Sequence, residues 1–479
     1  MKKTAFVLII VFILLMVCLS PVLAQDTEAC QATVSFYEPE NYELQDGDFF
    51  YILSEDGTVT ITGHTSVYKT HRDDGQPYYH PGGLTEVVIP AEIDGKLVTA
   101  IASKAFYNCS EMKSVVLPEG LLSIGQSAFR NCGLESVRIP STVAVIDYIA
   151  FENCQNLKEV FFAGGETETV IENSAFADSG ISSFFVDDNH PNLASCQGVL
   201  FDKKEKKLIT YPAGNEQTSY TIPRGIRSIG EYAFYGSKLT HVDFPETLIQ
   251  LDAYAFLKCK QLKKVLLPDS LQVLGSSAFA YCTDLKYVQF GSGLKEIGSG
   301  AFFACESLHT VRLPASLETI EDGVFGDCTG LKVILVSPDN PVYYAVDNVL
   351  YSDDRLIAYP AGMQRNMFRT PDSVRIIGDY AFYGAKIRKL KVSGTVREIG
   401  FYAICNMPDL ESLTLEEGIQ AMGTIGNNPK LTEVVIPASV TGFSHGSSDP
   451  AWPPLLKVYR GSSAAEFFES NEIPVQYVD

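Results

Sequence analysis

A chain of 479 residues with 46% apolar side chains has ample material for burial, and its formal charge of −21 argues against a nucleic-acid partner. Affinity for nucleic acid is drawn largely from phosphate neutralisation by Lys and Arg. The length would ordinarily fill about two to four globular domains, yet one extended array of stacked repeats absorbs it without separate cores.

Residues 1–24, MKKTAFVLIIVFILLMVCLSPVLA, present two lysines, an apolar run of about fifteen residues and Val22-Leu23-Ala24, the three parts of a secretory leader. Cleavage is expected after Ala24, and loss of Lys2 and Lys3 takes the charge from −21 to −23. The run is shorter than the roughly 20 residues a membrane span needs, so the mature chain is expected to be secreted or held at the cell surface. Residues 25–83 read as an N-terminal β cap and a polar loop. FFYILSEDGTVTITG (49–63) has two β-rich runs around Asp56-Gly57, a hairpin signal, and would cover the open end of a repeat array. The loop after it carries His64, His71 and His80 beside Asp73 and Asp74. Their spacing matches no metal-ligand pattern, so a plain exposed loop with no metal and no cofactor is expected.

From Leu84 the chain repeats itself. LKKVLLPDSLQVLGSSAFAYCTD (262–284) fits L-x-x-V-x-L-P-x-x-L-x-x-[IL]-G-x-x-A-F-x-x-C and closes every 23 residues: Leu285, Val288, Phe290, Leu294, Ile297, Phe302 and Cys305 refill the slots, and Leu308, Val311, Leu313, Leu317, Ile320, Phe325 and Cys328 follow. Self-similarity at about 20–29 residues marks a leucine-rich-repeat solenoid, each coil having one strand and one short helical or 3₁₀ segment. A single coil owns half a core, and stacking supplies the rest. The repeats are expected over 84–458. The spacing breaks twice, with 58 residues from Phe176 to Phe234 and 57 from Phe325 to Phe382. Each break contains related text, GVLFDKKEKKLITYPAG (198–214) and NVLYSDDRLIAYPAG (348–362), which reads as a β-hairpin insertion, about 187–223 and 337–371, with a return strand ending at Pro223 or Pro371. Residues 459–479 suit a short helix and a last strand as the C-terminal cap. The fold class expected is an α/β repeat, a curved leucine-rich-repeat solenoid with a parallel concave sheet, two β-hairpin insertions and capping ends.

These x-I-G-x-x-A-F-x-x-C-x-x-L-x-x-V-x-L-P repeats resemble the BspA-like, Treponema-type leucine-rich repeats of bacterial surface proteins. The paired GVLF/NVLY…YPAG segments, the leading VVIPAEIDGKLVTAIASKAF and the closing YRGSSAAEFF resemble further pieces of that family. The resemblance implies a curved, exported solenoid and, in some members, adhesion to host proteins or to other bacteria. It implies a protein ligand, such as a host extracellular or bacterial surface protein, with a surface glycan as the alternative.

Eleven cysteines in an exported chain would suggest disulfides. Seven of them, Cys109, Cys132, Cys154, Cys259, Cys282, Cys305 and Cys328, share the slot three residues after the repeat Phe, where Ser179, Ser237, Ala385 and Met407 also stand. A slot that accepts Ser, Ala or Met is a small inward packing position. Side chains stacked about 4.8 Å apart and pointing the same way suit a disulfide torsion poorly, so the ladder is expected to be reduced and buried. Cys30, Cys196 and Cys405 lie outside it.

No nucleophile elbow, zinc-binding His-Glu motif or phosphate loop is present. Gly291-Ser292-Gly293 with Gly298 and Gly300 is a by-product of the repeat glycine, and the acid pairs Asp187-Asp188 and Asp353-Asp354 read as solvated loop charge. No enzymatic activity is expected. Function then rests on the strand face. In L-x-x-V-x-L the third and fifth residues point outward, with the second at the rim, and concave solenoid surfaces are the usual binding surfaces. Across thirteen strands these positions hold eleven bases, Lys113, Arg138, Lys158, Lys263, Lys264, Lys286, Arg312, Lys332, Arg388, Lys389 and Lys391. They hold six acids, Glu86, Glu135, Glu159, Asp243, Glu411 and Glu433, a net of +5 against −28 for the rest of the mature chain. Basic rim residues also keep sheets soluble, but the sharper expectation is a surface that holds an acidic partner. Phe161 and Phe185 form a second candidate patch on consecutive strands, which the first insertion is expected to cover.

Overall fold

A computed structural model of the chain describes residues 44–65, 67–71, 77–81, 83–444 and 455–478. The proposed leader and Cys30 lie outside these residues. Among them, no helix is long and apolar enough to cross a membrane.

Each coil contributes to two parallel ladders. The L-x-x-V-x-L segment gives the first, in which Val137 stands beside Val160 and Val265 beside Val288, one repeat apart. The [IL]-G segment gives the second, made of two-residue strands such as Val273–Leu274 and Glu296–Ile297 with Leu274 beside Ile297. Valine and leucine on alternate positions face inward, as the period of two requires: Val265, Leu267 and Leu274 are at most 4% exposed.

The corner between the ladders is where a short helical segment was expected. The structure has successive hydrogen-bonded turns there instead. Two residues per coil take left-handed backbone angles, Ser277 (φ 54°) and Tyr281 (φ 60°) in one coil, Tyr254 (φ 60°) and Lys258 (φ 61°) in another. A right-handed helix cannot run through such residues. Their neighbours donate to the next coil: Phe279 N–H reaches the Ala301 carbonyl and Phe256 N–H the Ala278 carbonyl, at 2.8 and 2.7 Å. One α-helix is found among the described residues, Ser463–Ser470.

The repeat phenylalanines form a stacked column inside this corner, with ring centroids 5.3 Å apart for Phe106 and Phe129 and 5.0 Å for Phe256 and Phe279. The cysteine ladder runs beside it. Cys132, Cys259 and Cys328 each donate their thiol to the carbonyl of a phenylalanine one coil back, Phe106, Phe234 and Phe302, all at 3.0 Å. All nine cysteines of the described residues are free thiols, eight of them buried and Cys196 exposed. Burial pushes the Cys154 thiol up to about 12.

The insertions are more than hairpins. Each is a three-stranded antiparallel meander, Leu193–Cys196, Val199–Asp202 and Lys207–Thr210 in the first, Tyr343–Val346, Val349–Ser352 and Arg355–Ala358 in the second. The third strand of each joins the second ladder, with Leu208 beside Ile229 and Leu356 beside Ile377. YPAG then occupies the corner, and Tyr211 and Tyr359 enter the phenylalanine column against Phe234 and Phe382 at 5.1 and 5.5 Å. Their N–H groups make the coil-to-coil bond of that slot, to Ala233 and Ala381. The long intervals therefore hold a complete extra coil: Phe176 to Tyr211 is 35 residues and Tyr211 to Phe234 is 23, and Phe325 to Tyr359 is 34 with 23 more to Phe382. The return strands, Ser219–Thr221 and Arg365–Arg369, are ordinary first-ladder strands of these coils.

Both ends are closed. Leu44–Asp46, Phe49–Leu53 and Val59–His64 form an antiparallel meander whose last strand lies parallel to Lys96–Ile101. What reads as an extended link contains a tight hairpin, Glu92–Ile93 against Lys96–Ile101, turned by Asp94 and Gly95 at positive φ. The segment expected to be a plain loop also pairs, Val67–His71 antiparallel to Pro77–Pro81. Its β-prone runs flank an Asp-Gly dipeptide. Asp73, Asp74 and the side chains of His71 and His80 lie outside the described residues. At the far end Ser462 caps the helix, its hydroxyl accepting from Ala465 N–H at 3.2 Å, and Phe468 is fully buried. Val475–Val478 then adds to Leu455–Tyr459 as the last strand.

Candidate functional site

The first ladder presents its second, third and fifth residues outward because its fourth and sixth are locked into the core. Every base named on this face from the sequence is at least partly exposed. Two groups stand out among them, with Lys113, Arg138 and Lys158 in neither and also without a salt bridge among the described residues. Lys263, Lys264, Lys286, Arg312 and Lys332 stand on four consecutive coils and make no salt bridge among the described residues. Tyr287 lies among them, 48% exposed, paired in register with Lys264, whose ammonium is 5.7 Å from its ring centre. Leu266 is exposed beside them.

The second group is neutralised from within. Arg388 makes a bidentate pair with Glu411, Nε and Nη2 to Oε1 at 3.0 and 2.9 Å and Nη2 to Oε2 at 3.0 Å. Lys391 reaches Glu416 at 2.7 Å, and Lys457 reaches Glu433 at 2.8 Å. Lysine and hydrogen-bond donation hold the Glu416 carboxyl below its ordinary range. Lys389 remains exposed between Met367 and Ser412. The extra coil adds Arg369, beside Lys391 in register and 2.9 Å from Asp372. Sequence reading missed it because Phe368 replaces the repeat Val and Thr370 the repeat Leu; Pro371 after them was the available signal.

Arg138, Phe161 and Phe185 share the fifth position of three paired strands. The two rings stack at 4.9 Å with 12° between planes, and Phe185 is 43% exposed. The expectation that the insertion covers them is therefore corrected for Phe185, while Phe161 is half-buried: Phe184 N–H bonds the Gly198 carbonyl and Val186 N–H bonds the Ser195 hydroxyl, which holds the meander beside the strand and leaves the Phe185 ring open. Val88 and Val116 continue an apolar fifth position toward the N-terminus, 66% and 55% exposed. His241 pairs with Asp243 at 2.8 Å on the same face. Among the described residues, no group of three or more His, Cys, Asp or Glu is placed to hold a metal ion.

The family model of the BspA type leucine rich repeat region matches residues 76–201, 213–332 and 362–447, well over half of the chain, in six copies. The chain belongs to the BspA-type leucine-rich-repeat family. The two intervals between matched stretches fall on the insertion coils of this BspA-type chain. Among solved structures, it is similar to a leucine-rich repeat protein from Eubacterium ventriosum ATCC 27560, 21% identical over 71% of this chain and 94% of that one, TM-score 0.51, which shows the shared solenoid fold. It is also similar to a leucine rich cell surface protein from Faecalibacterium prausnitzii A2-165, 23% identical over 92% and 96% of the two chains, TM-score 0.48. No curated protein matches it.

Proposed function

We propose that this BspA-type chain is exported and binds a macromolecular partner through its strand face, as a surface adhesin or protein-interaction scaffold. The observation that carries the reading is the run of uncompensated bases, Lys263, Lys264, Lys286, Arg312 and Lys332, around Tyr287 on four adjacent coils of a strongly acidic protein. Such a patch attracts and orients an acidic surface, and its aromatic ring supplies an anchor. The leader-like residues 1–24 support export, and the surface character of BspA-type proteins supports the location.

Binding of the purified chain to arrays of extracellular-matrix proteins and glycans, at low and at raised salt, tests this. Protein binding that weakens with salt, and that Lys263→Glu with Lys264→Glu reduces, is the expected result. Glycan binding indifferent to salt would favour the alternative, capture of a surface glycan, for which the stacked Phe161–Phe185 pair with its open Phe185 ring is the favouring observation. Unchanged binding by the double variant removes the basic patch from the interface.

A further inference from the structure

The second ladder is interrupted where each meander enters. Val170–Ile171 pairs with Val145–Ile146 on one side and, among the described residues, with no strand on the other, and Thr319–Ile320 ends its sheet in the same way. The two gaps are filled differently. At the second, the Tyr343 hydroxyl accepts from Ile320 N–H at 2.7 Å and donates to the Glu318 carbonyl at 3.4 Å, while Arg355 Nη2 reaches Asp322 Oδ1 at 2.6 Å. The paired registers of the meanders put Leu193 where Tyr343 stands and Lys207 where Arg355 stands. Leucine has no hydroxyl, and Lys207 turns to Asp252 at 3.2 Å.

The first gap is consequently a cleft of about 320 Å³, at the lower end of ligand-site volumes. Asn192 occupies part of its rim, bonding both backbone groups of Thr169 at 3.0 Å. Val170 and Glu172 N–H both bond to the preceding coil at 2.8 Å, which turns Ile171 N–H toward the gap, and the Ser174 hydroxyl oxygen is buried without a partner among the described residues. Five carboxylates line the cleft against Lys204 and Lys207. Of these, Glu168 is engaged by Lys204, Asp202 by Asn192, and Glu231 accepts from Asn173 at 2.6 Å. Glu172 and Glu205 have no ion pair among the described residues.

We infer that this cleft receives an extended peptide segment carrying a lysine or arginine, which adds to the open edge of Val170–Ile171 as the missing rung. A main-chain carbonyl of the segment accepts from Ile171 N–H, as the Tyr343 hydroxyl does for Ile320, and the cationic side chain is drawn by Glu172 and Glu205, as Arg355 is by Asp322. Main-chain bonds give such strand addition its affinity and the side chain its selectivity. The site belongs to the second ladder and is separate from the strand face proposed above.

Fluorescence anisotropy with the full chain and a short, capped, dye-labelled peptide alternating lysine and valine reads this binding. A glutamate-valine peptide and lysine amide serve as comparison probes. Saturable binding of the lysine peptide is expected, weakened about tenfold or more by E172K with E205K and similarly by L193Y, which supplies the hydroxyl that closes the second gap. Lys263→Glu with Lys264→Glu should leave it unchanged, so failure here and failure of the strand-face reading are distinguishable. No binding of the lysine peptide, equal binding of the glutamate peptide, or full binding by E172K with E205K would overturn the inference. So would lysine amide binding as tightly as the peptide, which would make the cleft a simple amine site. Should L193Y fail to fold, the two glutamates, both exposed, carry the test alone.

Discussion

Burial, with the charge of Glu306 second, pushes the Asp327 carboxyl up to about 6 in the outer corner of its coil. An acid with a raised folded pKa binds more protons in the native than in the unfolded state between its ordinary range and that value. Stability therefore falls as pH rises from about 4 through 6, and the ionised group is unfavourable above that. Asp327→Asn should raise stability at pH 7 by about 1–2 kcal/mol, less than the full shift because part of the side chain meets solvent, and the gain should vanish near pH 4. Denaturant midpoints of both chains at the two pH values check this. Asparagine also suits the left-handed backbone there, φ 56°. The thiols follow similar logic. Burial drives the ladder thiols of Cys154, Cys282 and Cys328 far from thiolate formation at neutral pH, whereas Cys196 is exposed. Alkylation of the native chain followed by peptide mapping should modify Cys196 and spare the ladder until denaturant is added. Rapid labelling of Cys282 in the native chain would contradict its burial in the ladder.

At the scale of the coil, the insertion coils are where the repeat rule bends, and Tyr211 is its clearest bend. Its ring fills the phenylalanine slot, but its hydroxyl is buried with no hydrogen-bond partner among the described residues. An unsatisfied buried hydroxyl costs about 1–3 kcal/mol, so Tyr211→Phe should leave stability unchanged or raise it by about 1 kcal/mol, whereas Tyr211→Ala should lower it by about 3–5 kcal/mol through the cavity left in the column. Urea midpoints of the two variants decide this, and a clear loss in Tyr211→Phe would mean that the hydroxyl has an unrecognised partner. These coils also mark the limit of what the residues reveal. The regular coils were legible because seven slots refill at a constant interval, and the parallel strand register follows from that interval alone. The extra coils were not, because Tyr stands for Phe and the corner is shortened, three residues from Leu208 to Tyr211 against five from Ile229 to Phe234. The candidate face was legible in composition but not in pairing. Glu411 and Glu416 look like scattered surface acids until the coils bring them onto Arg388 and Lys391, and the exposure of Phe185 depends on where the meander's backbone anchors.

Across the whole molecule the insertion coils also divide the interior. The buried side chains form three main clusters, residues 51–200, 199–358 and 349–468, and the boundaries fall on the two meanders. The second ladder loses its continuous pairing at these two places, and the first ladder is interrupted there and at three further points along the chain, one of them between Tyr287–Gln289 and Thr310–Leu313. In a stacked array, stability is approximately a sum of coil terms and nearest-neighbour interfaces, so a weak interface lets one side open without the other. Phe279 lies in the middle cluster, fully buried between Phe256 and Phe302. Phe279→Ala should remove about 3–5 kcal/mol there. Read by amide hydrogen exchange, the lost protection should spread through coils of the middle cluster and fade across the meanders, leaving the coils around Phe382 and Phe468 nearly as protected as before. A uniform loss along the chain would mean that the insertion coils transmit packing as well as regular ones do. The expected pattern has a consequence for binding: the uncompensated bases Lys263, Lys264, Lys286, Arg312 and Lys332 lie on coils of the middle cluster, so a partner that holds them should protect that segment most.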